Sequence, residues 1–346
     1  MTDSLLESIS ALIPDRIKLP DVVWKSIAQQ GLTQIDILHK ANINPVEIVR
    51  KGYYSTAEFF ALWNSVQHLA GEPTVGLRIA QGIEGTAMPP SFMVAYHACD
   101  FYDALQRISR FKRLCSPETV KIDAFDDYCD VYVNWAYANS MRTPPALVDI
   151  TLASFLELGR KGTHQPLSAL RVELIRPADK ALKIAFEDYF GCPVHFGAGR
   201  DCLRLHRDTL HTTFVAYNAE LLNILLPALD NQLEQQRQET SLKEKVCCLI
   251  KHRLTLGRPD IRTIATELAM SERSLQRKLA GLGMTFQGLL NETRHSLALN
   301  YLTDPKLTLT EIAFMLGYED QNSYFRAFHH WENLTPSEWR SRQFNP

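Results

Sequence analysis

Two stretches near the end of the chain repeat one pattern of apolar and polar positions. In the first, apolar residues recur at helical spacing, which predicts a short helix over 260–269 with Asp260 as its N-cap. Ser271 then opens a second helix. We expect the buried stripe of this second helix to consist of Leu275, Leu279 and Leu282.

The second stretch has the same order of elements. Thr308 and Glu311 form a capping box in front of an apolar run, and Gly317 ends that helix as a left-handed residue would. A further helix is predicted over 321–331, with Tyr324, Phe325 or Phe328 buried. A last short helix is expected to begin in the segment Thr335, Pro336, Ser337 and Glu338.

A linker helix is predicted between the two stretches, over 286–302. At 1.5 Å per residue it is roughly 25 Å long. Such a helix can hold two helix-turn-helix units about one DNA turn, or roughly 34 Å, apart. The two units could therefore reach successive major-groove segments of one duplex.

Exposed polar residues near the start of each second helix are candidates for reading bases. Arg can donate two hydrogen bonds to guanine, and Gln or Asn can pair in the same way with adenine. We predict base contacts from Arg273, Gln276 and Arg277 in the first unit and from Gln321, Asn322, Ser323 and Arg326 in the second. We predict phosphate contacts from Ser271, Lys278, Arg294 and Arg340.

The earlier two-thirds of the chain changes period from helical to alternating and back. Helices are predicted over 22–28, 35–41, 56–70 and 74–80, and again within 92–112. Alternation from residue 119 predicts strands up to Trp135. A helix over 146–160, a strand over 169–175, a helix over 181–190 and a strand over 202–205 follow. The expected fold is an α+β domain followed by an all-α domain with two helix-turn-helix units.

The domain boundary is predicted in a Gln/Glu-rich segment, 226–242, which could be an extended helix or a flexible linker. This divides the chain into an N-terminal domain, 1–225, and a DNA-binding domain, 243–346. Net charge is −2 overall, but residues 241–346 carry 14 Lys and Arg against 11 Asp and Glu. A mildly basic C-terminal domain fits binding of double-stranded DNA at one end only.

The C-terminal motifs resemble the AraC/XylS family of transcription regulators. The residues that carry the resemblance are Ile264, Ala265, the run 268–279, Glu311, Ile312, Ala313, the run 316–318, the run 324–328 and the run 334–340. The resemblance implies control of transcription, with RNA polymerase as a partner and activation as the expected effect. Four residues depart from the family pattern: His329 and His330 replace Lys or Arg, Asn333 replaces Gly, and Phe325 replaces a small residue.

The N-terminal part resembles the effector-binding domain of one branch of the same family. This resemblance is carried by Phe59, Phe60, Leu62 and Trp63, by the runs 71–73 and 76–78, and by the run 190–197. It implies a small-molecule effector of unknown identity and a homodimer, with no cofactor. Aromatic residues at Tyr96, His97, Tyr132 and Trp135 are candidates for lining the effector pocket, and ordinary core packing is the alternative.

Other functions find less support in the sequence. Cys192 with His195 and Cys202 with His206 give only an irregular zinc pattern, so buried thiols are the preferred interpretation. A DNA-repair methyltransferase fused to such a DNA-binding domain carries Pro-Cys-His-Arg, which is missing here. An N-terminal domain that only dimerises stays open as an alternative. No signal peptide or 18-residue apolar run is found, so we expect a cytoplasmic protein that binds the nucleoid.

Overall fold

Gly and Pro residues separate short helices in the first part of the chain, as the pattern predicts. The computed structural model describes residues 14–83, 89–138, 141–178, 180–239, 242–254, 257, 259–302 and 307–344. The first helices are Asp21–Gln29 (α1), Gln34–Lys40 (α2), Pro45–Lys51 (α3), Thr56–Ala70 (α4), Val75–Gln81 (α5), Pro90–Tyr96 (α6) and Phe101–Phe111 (α7). Ser55 starts α4 with a complete capping box to Glu58, and Gly71 ends it in the left-handed conformation.

A five-stranded sheet follows these helices. Its strands are Glu118–Ala124 (β1), Tyr128–Trp135 (β2), Arg171–Leu174 (β3), Val194–Phe196 (β4) and Cys202–His206 (β5), in the order β1-β2-β5-β3-β4. Only β3 and β4 pair in parallel among these neighbours. The helices Pro145–Thr163 (α8), Lys180–Phe190 (α9) and Arg207–Leu210 (α10) lie between or after the strands. The predicted α+β fold of this part is confirmed.

Helix α8 runs through the core of this unit and is buried over most of its length. It packs against α4, α5 and α7. Gly76 in α5 allows the closest approach, because a β-carbon there would stand 2.5 Å from the carbonyl oxygen of Ala146 and 2.6 Å from the β-carbon of Asp149. The helix crossing therefore depends on glycine at this position.

The chain divides into two compact units, Asp15–Gln236 and the part from Arg237 onward. The helix Ala219–Glu239 (α11) covers most of the predicted linker, so this segment is helical as far as it is described. Leu222, Leu226, Leu229 and Leu233 of α11 pack with Val94 and Phe111. The N-terminal unit therefore extends about ten residues past the predicted end at 225, while positions 240 and 241 of the predicted linker lie outside the described residues.

The second unit consists of helices around a core of its own. They are Leu242–Leu254 (α12), Ile261–Glu267 (α13), Glu272–Gly281 (α14), Phe286–Leu302 (α15), Leu309–Met315 (α16), Gln321–Glu332 (α17) and Pro336–Phe344 (α18). Buried residues from α12 through α17 form one cluster, and Trp339 of α18 packs against it. The predicted all-α fold with two helix-turn-helix units and a linker helix is confirmed, and α15 has the predicted bounds.

The structure differs from the sequence prediction at three places. Leu282 is 53% exposed and not buried, because α14 ends at Gly281 and the helical period stops there. Helix α3 was not predicted, although Asn44 caps it and Pro45 occupies its first position. Strand β4 was also missed, because three residues are too few to show alternation.

Candidate nucleic-acid interface and ligand cavity

The first helix-turn-helix unit consists of α13 and α14. Asp260 caps α13 by accepting from the backbone N–H of Thr263 at 2.9 Å, and Ser271 caps α14 by accepting from that of Ser274 at 3.2 Å. Both caps match the sequence prediction. Leu275 and Leu279 anchor α14 in the core. The outer face exposes Arg273, Gln276, Arg277 and Lys278.

The second unit consists of α16 and α17. Thr308 and Glu311 form the predicted capping box of α16, and Gly317 has a φ of 70°. Asp320 caps α17, accepting from the backbone N–H of Ser323 at 2.8 Å and from its hydroxyl at 2.7 Å. Tyr324 and Phe328 are fully buried, whereas Phe325 is half-buried and meets the Tyr324 ring edge-on. Asn333 ends α17 at a φ of 55°, which is the left-handed conformation expected of it.

The two outward faces differ in chemistry at equivalent positions. Counted from the N-caps Ser271 and Asp320, the second helical residue is Arg273 in α14 and Asn322 in α17. The sixth is Arg277 in α14 and Arg326 in α17. Arg273, Arg277, Asn322 and Arg326 are exposed, and α14 adds the exposed Lys278. The first face therefore carries more positive charge than the second.

Local hydrogen bonds engage several residues predicted to read bases, among them Gln276, whose amide donates to Glu272 at 3.4 Å. The hydroxyl of Ser323 donates to Asp320, and Nη2 of Arg326 lies 3.3 Å from that same hydroxyl. Gln321 Oε1 accepts from the Thr310 hydroxyl at 3.0 Å. Ser323 and Gln321 can contact bases only if these local hydrogen bonds are broken. Asn322 and Arg326 are the more accessible pair on α17.

Two predicted phosphate contacts have another role. Arg294 is 6% exposed, donates to the carbonyl oxygens of Leu316 at 2.8 Å and Gly317 at 2.9 Å, and stacks 4.3 Å above the ring of Tyr318. Arg340 is half-buried and donates to the carbonyl oxygen of Leu302 at 3.2 Å. Each arginine satisfies carbonyl groups left without partners at a helix end. Burial argues against the predicted phosphate contact of Arg294. The phosphate contact of Arg340 stays a prediction, because this side chain is half-buried and its Nη2 has no hydrogen-bond partner among the described residues.

A contact that the sequence pattern did not indicate joins α15 to α17. His295 Nε2 lies 2.6 Å from a carboxylate oxygen of Glu332, and its ring lies 5.1 Å from that of Trp331. The two hydrogen-bonded residues are 37 positions apart in the chain. This contact holds α17 against the linker helix α15.

The N-terminal unit contains a mostly apolar cavity. It has a volume of about 140 Å³ and is bordered by α4, α5, α6, α8 and β2. Tyr96 and Trp135 lie on its wall. Of the aromatic residues proposed as lining, the structure brings only these two together.

His97 and Tyr132 lie elsewhere. His97 Nδ1 bonds the carbonyl oxygen of Ala216 at 2.7 Å. Tyr132 points to the opposite face of the sheet from Trp135, because side chains alternate along β2, and the guanidinium of Arg200 lies 4.6 Å from its ring centre. Neither is among the residues that line this cavity.

The irregular zinc pattern does not form a site. Burial raises the pKa of Cys192 to about 11 and that of Cys202 to about 12, so both are neutral thiols at neutral pH. Within the described ranges, no three His, Cys, Asp or Glu side chains are placed to hold one metal ion. The same ranges include no helix that is long and apolar enough to cross a bilayer.

Two capped helix pairs on one core, each exposing a polar second helix, define a DNA-binding protein with two helix-turn-helix units. The profile of the N-terminal arabinose-binding domain of AraC transcription regulators matches residues 31–214, and that of a helix-turn-helix domain matches residues 264–342. The first match covers more than half of the chain, and the chain belongs to the AraC family of transcription regulators.

Two similar proteins, both regulators, match this chain over nearly their whole length. The chain is 27% identical to the ornithine utilization regulator of Pseudomonas aeruginosa, over 97% of this chain and 98% of the relative. It is 24% identical to the transcriptional regulator VirS of Mycobacterium tuberculosis, over 90% of this chain and 92% of the relative. The crystal structure of the regulator CdpR from P. aeruginosa covers 93% of this chain and 99% of its own at a TM-score of 0.44 and 20% identity. The protein is a DNA-binding transcription regulator and not an enzyme.

Proposed function

We propose that α14 and α17 enter successive major-groove segments of one duplex and read bases there. Arg273, Gln276 and Arg277 supply the contacts of the first helix, and Asn322 and Arg326 supply the principal contacts of the second. Ser271 and Lys278 contact phosphate. The observation that supports this most directly is the exposed polar face that each helix presents directly after its N-cap, opposite a stripe buried in one shared core.

Capture of genomic DNA fragments by the purified protein tests this function. Wild type should enrich one motif with two half-elements about one turn, or roughly 34 Å, apart. Changing Arg273 and Arg326 together to Ala should remove that enrichment. Arg262→Ala, an exposed arginine on α13, is the matched control and should keep the preferred sequence. Retention of the motif by the double variant would show that these helices do not read it.

We infer that a small molecule in the cavity of the N-terminal unit controls transcription. The support is an apolar cavity with a few polar groups, which is the usual character of a ligand site, inside a domain that matches an effector-binding profile. Ser154 lies on the wall of the cavity in α8, so Ser154→Leu should reduce a reporter's response to its effector. Ala181→Leu, on the exposed face of α9, makes a comparable addition outside the cavity.

The competing function for this unit is dimerisation without a ligand. Thermal denaturation across a metabolite library separates the two, because a ligand that binds only the folded state raises the melting temperature. A hit that also changes reporter output supports effector control. For each compound, the rise in melting temperature of wild type is compared with the rise for Ser154→Leu. If no compound causes a larger rise in wild type, the dimerisation function is favoured.

We further propose a homodimer that pairs through the outer face of α11. Ile224, Ala228, Asn231 and Gln235 are exposed there at alternating spacings of four and three residues, and Ile224 is 71% exposed. This spacing gives a helix a continuous seam for a second copy. Ile224→Glu should lower the mass measured by light scattering to that of a monomer, while Glu220→Gln, exposed at the start of the same helix, should not.

The resemblance to AraC regulators also supports activation through contact with RNA polymerase. A promoter fused to the captured operator should respond to added protein with more transcript in vitro, and less transcript would identify a repressor. Because the chromosome lies in the cytoplasm of bacteria, we place the protein there, on the nucleoid when bound.

A further inference from the structure

The helices α14 and α17 begin and pack alike, so their residues can be compared position by position. The N-cap side chain of each accepts from the backbone N–H of the third helical residue, which is Ser274 in α14 and Ser323 in α17. The fourth and eighth helical residues of each are fully buried, namely Leu275, Leu279, Tyr324 and Phe328. Both helices therefore turn the same positions away from the core.

The second and sixth helical residues of both helices point outward. Each lies two residues, or about 200° around the helix axis, from the buried fourth residue. All four side chains are exposed, namely Arg273, Arg277, Asn322 and Arg326. The two positions are about 6 Å apart along the axis, and base pairs of B-DNA follow each other at about 3.4 Å. One helix can therefore present its two side chains to bases about two pairs apart.

The sixth position carries the same residue in both helices. Arg277 forms no hydrogen bond or ion pair with the part of the chain that the structure describes. Arg326 donates one N–H to the Ser323 hydroxyl at 3.3 Å, which leaves its remaining N–H groups for a base. A guanidinium donates two hydrogen bonds to O6 and N7 of guanine. Both helices should therefore select guanine with this residue.

The second position carries different residues, and their donors and acceptors suit different bases. Arg273 offers N–H donors only, which match the two acceptors of guanine and oppose the N6 amino group of adenine. The amide of Asn322 offers an acceptor as well as N–H donors, which match N6 and N7 of adenine. Within the described ranges, neither side chain has a hydrogen bond to break before it meets a base.

We propose that the two half-elements of the operator share one G·C pair and differ in another, about two base pairs away, which is G·C where α14 binds and A·T where α17 binds. Arg277 and Arg326 select the shared pair, and Arg273 and Asn322 select the pair that differs. This rests on the proposed base reading by α14 and α17 and specifies the bases. Because the half-elements differ, their order sets the direction in which the protein lies on the duplex.

Selection from a pool of random duplex DNA by the purified full-length protein tests the proposal with reciprocal variants. Wild type should enrich one half-element with two G·C pairs and one with a G·C and an A·T pair. Asn322→Arg should replace the preferred A·T pair with G·C, and Arg273→Asn should replace one G·C pair of the other half-element with A·T. Each replacement should change the relative affinity for the two base pairs by about five- to a hundredfold, the range for a bidentate contact.

Two control variants make the same substitutions outside α14 and α17. Asn291→Arg adds the same charge at an exposed position of α15, and Arg262→Asn removes a charge from an exposed position of α13. A change in net charge acts on every sequence through the phosphates. Both controls should therefore keep the base pairs that wild type prefers, whatever their effect on overall affinity.

Two results would overturn the base assignment alone. They are G·C at both positions of both half-elements in wild type, or an A·T preference that survives in Asn322→Arg. Either result would still show two half-elements in the selected DNA, so reading by both helices would stand. Enrichment of a single half-element, or of no motif, would contradict the proposed function itself and the base assignment with it.

Discussion

At the scale of single residues, burial separates arginines that look alike in the sequence. Arg326 and Arg294 both belong to helices of the DNA-binding unit. Arg326 is exposed on α17, whereas Arg294 is enclosed between α15 and the end of α16, where it serves two carbonyl groups. Arg326 can contact DNA, and Arg294 holds the turn before α17 in place.

Arg294→Ala should therefore lower the free energy of unfolding by about 2–4 kcal/mol, since it leaves carbonyl oxygens of Leu316 and Gly317 without partners. Chemical denaturation measures this loss. Lys278→Ala should leave stability unchanged, reduce affinity alike on all sequences and lower the salt dependence of binding by about one unit. An Arg294→Ala variant that is as stable as wild type and has the binding profile predicted for Lys278→Ala would contradict the structural role of Arg294.

The caps give a residue-scale prediction on pH. Hydrogen bonds from the side chain and backbone of Ser323 hold the pKa of Asp320 below its ordinary value of 3.8. A lowered pKa in the folded state stabilises the fold while the carboxylate is ionised, and that stabilisation is lost as pH falls through the lowered value. Asp320→Asn keeps an acceptor but cannot titrate. Its unfolding free energy should depend less on pH below 5 than that of wild type, and an equal dependence would contradict this assignment.

At the scale of elements, close helix packing depends on small residues at defined positions. The approach of α5 to α8 has room only for glycine at position 76. Gly76→Ala should cost about 1–3 kcal/mol of the unfolding free energy of the N-terminal unit, because the added carbon overlaps the backbone of α8. Gly199→Ala is the matched control, since nothing lies within 4 Å of a β-carbon there. Equal melting temperatures for both variants would show that α8 shifts without cost.

Elements defined by local chemistry could be predicted from the sequence, and those defined by distant partners could not. The caps at Asp260, Ser271 and Thr308 act within three residues, so their pattern is visible in the chain. The partners of Arg294 are 22 and 23 residues away, and burial that depends on them leaves no periodic signal. Strand β4 likewise depends on its pairing with β3 across α9.

The candidate sites show the same division. Helical periodicity after a recognisable N-cap indicates which residues of α14 and α17 are exposed, so both exposed faces could be predicted. The cavity brings together residues from helices and a strand far apart in the chain, and only Tyr96 and Trp135 of its wall were expected. Trp63 belongs to a family motif in the sequence, and its place on the cavity wall became visible only in the folded unit.

At the scale of the whole molecule, the two units differ in net charge and in the kind of site that each carries. The acidic N-terminal part encloses an apolar cavity, and the mildly basic C-terminal part presents two polar helices of unequal charge. Three cations on α14 against one on the first two turns of α17 predict that the first half-element supplies more of the salt-dependent affinity. We propose above that the two helices read separate segments of one operator.

Binding profiles of Arg273→Ala and Arg326→Ala, measured singly against a library of operator variants, test this claim most directly. Each variant should lose preference at one half-element only, by about 1–3 kcal/mol at its cognate base, with the two affected positions about one turn apart. Loss of preference at the same positions in both variants, or a uniform loss over all sequences, would contradict the account.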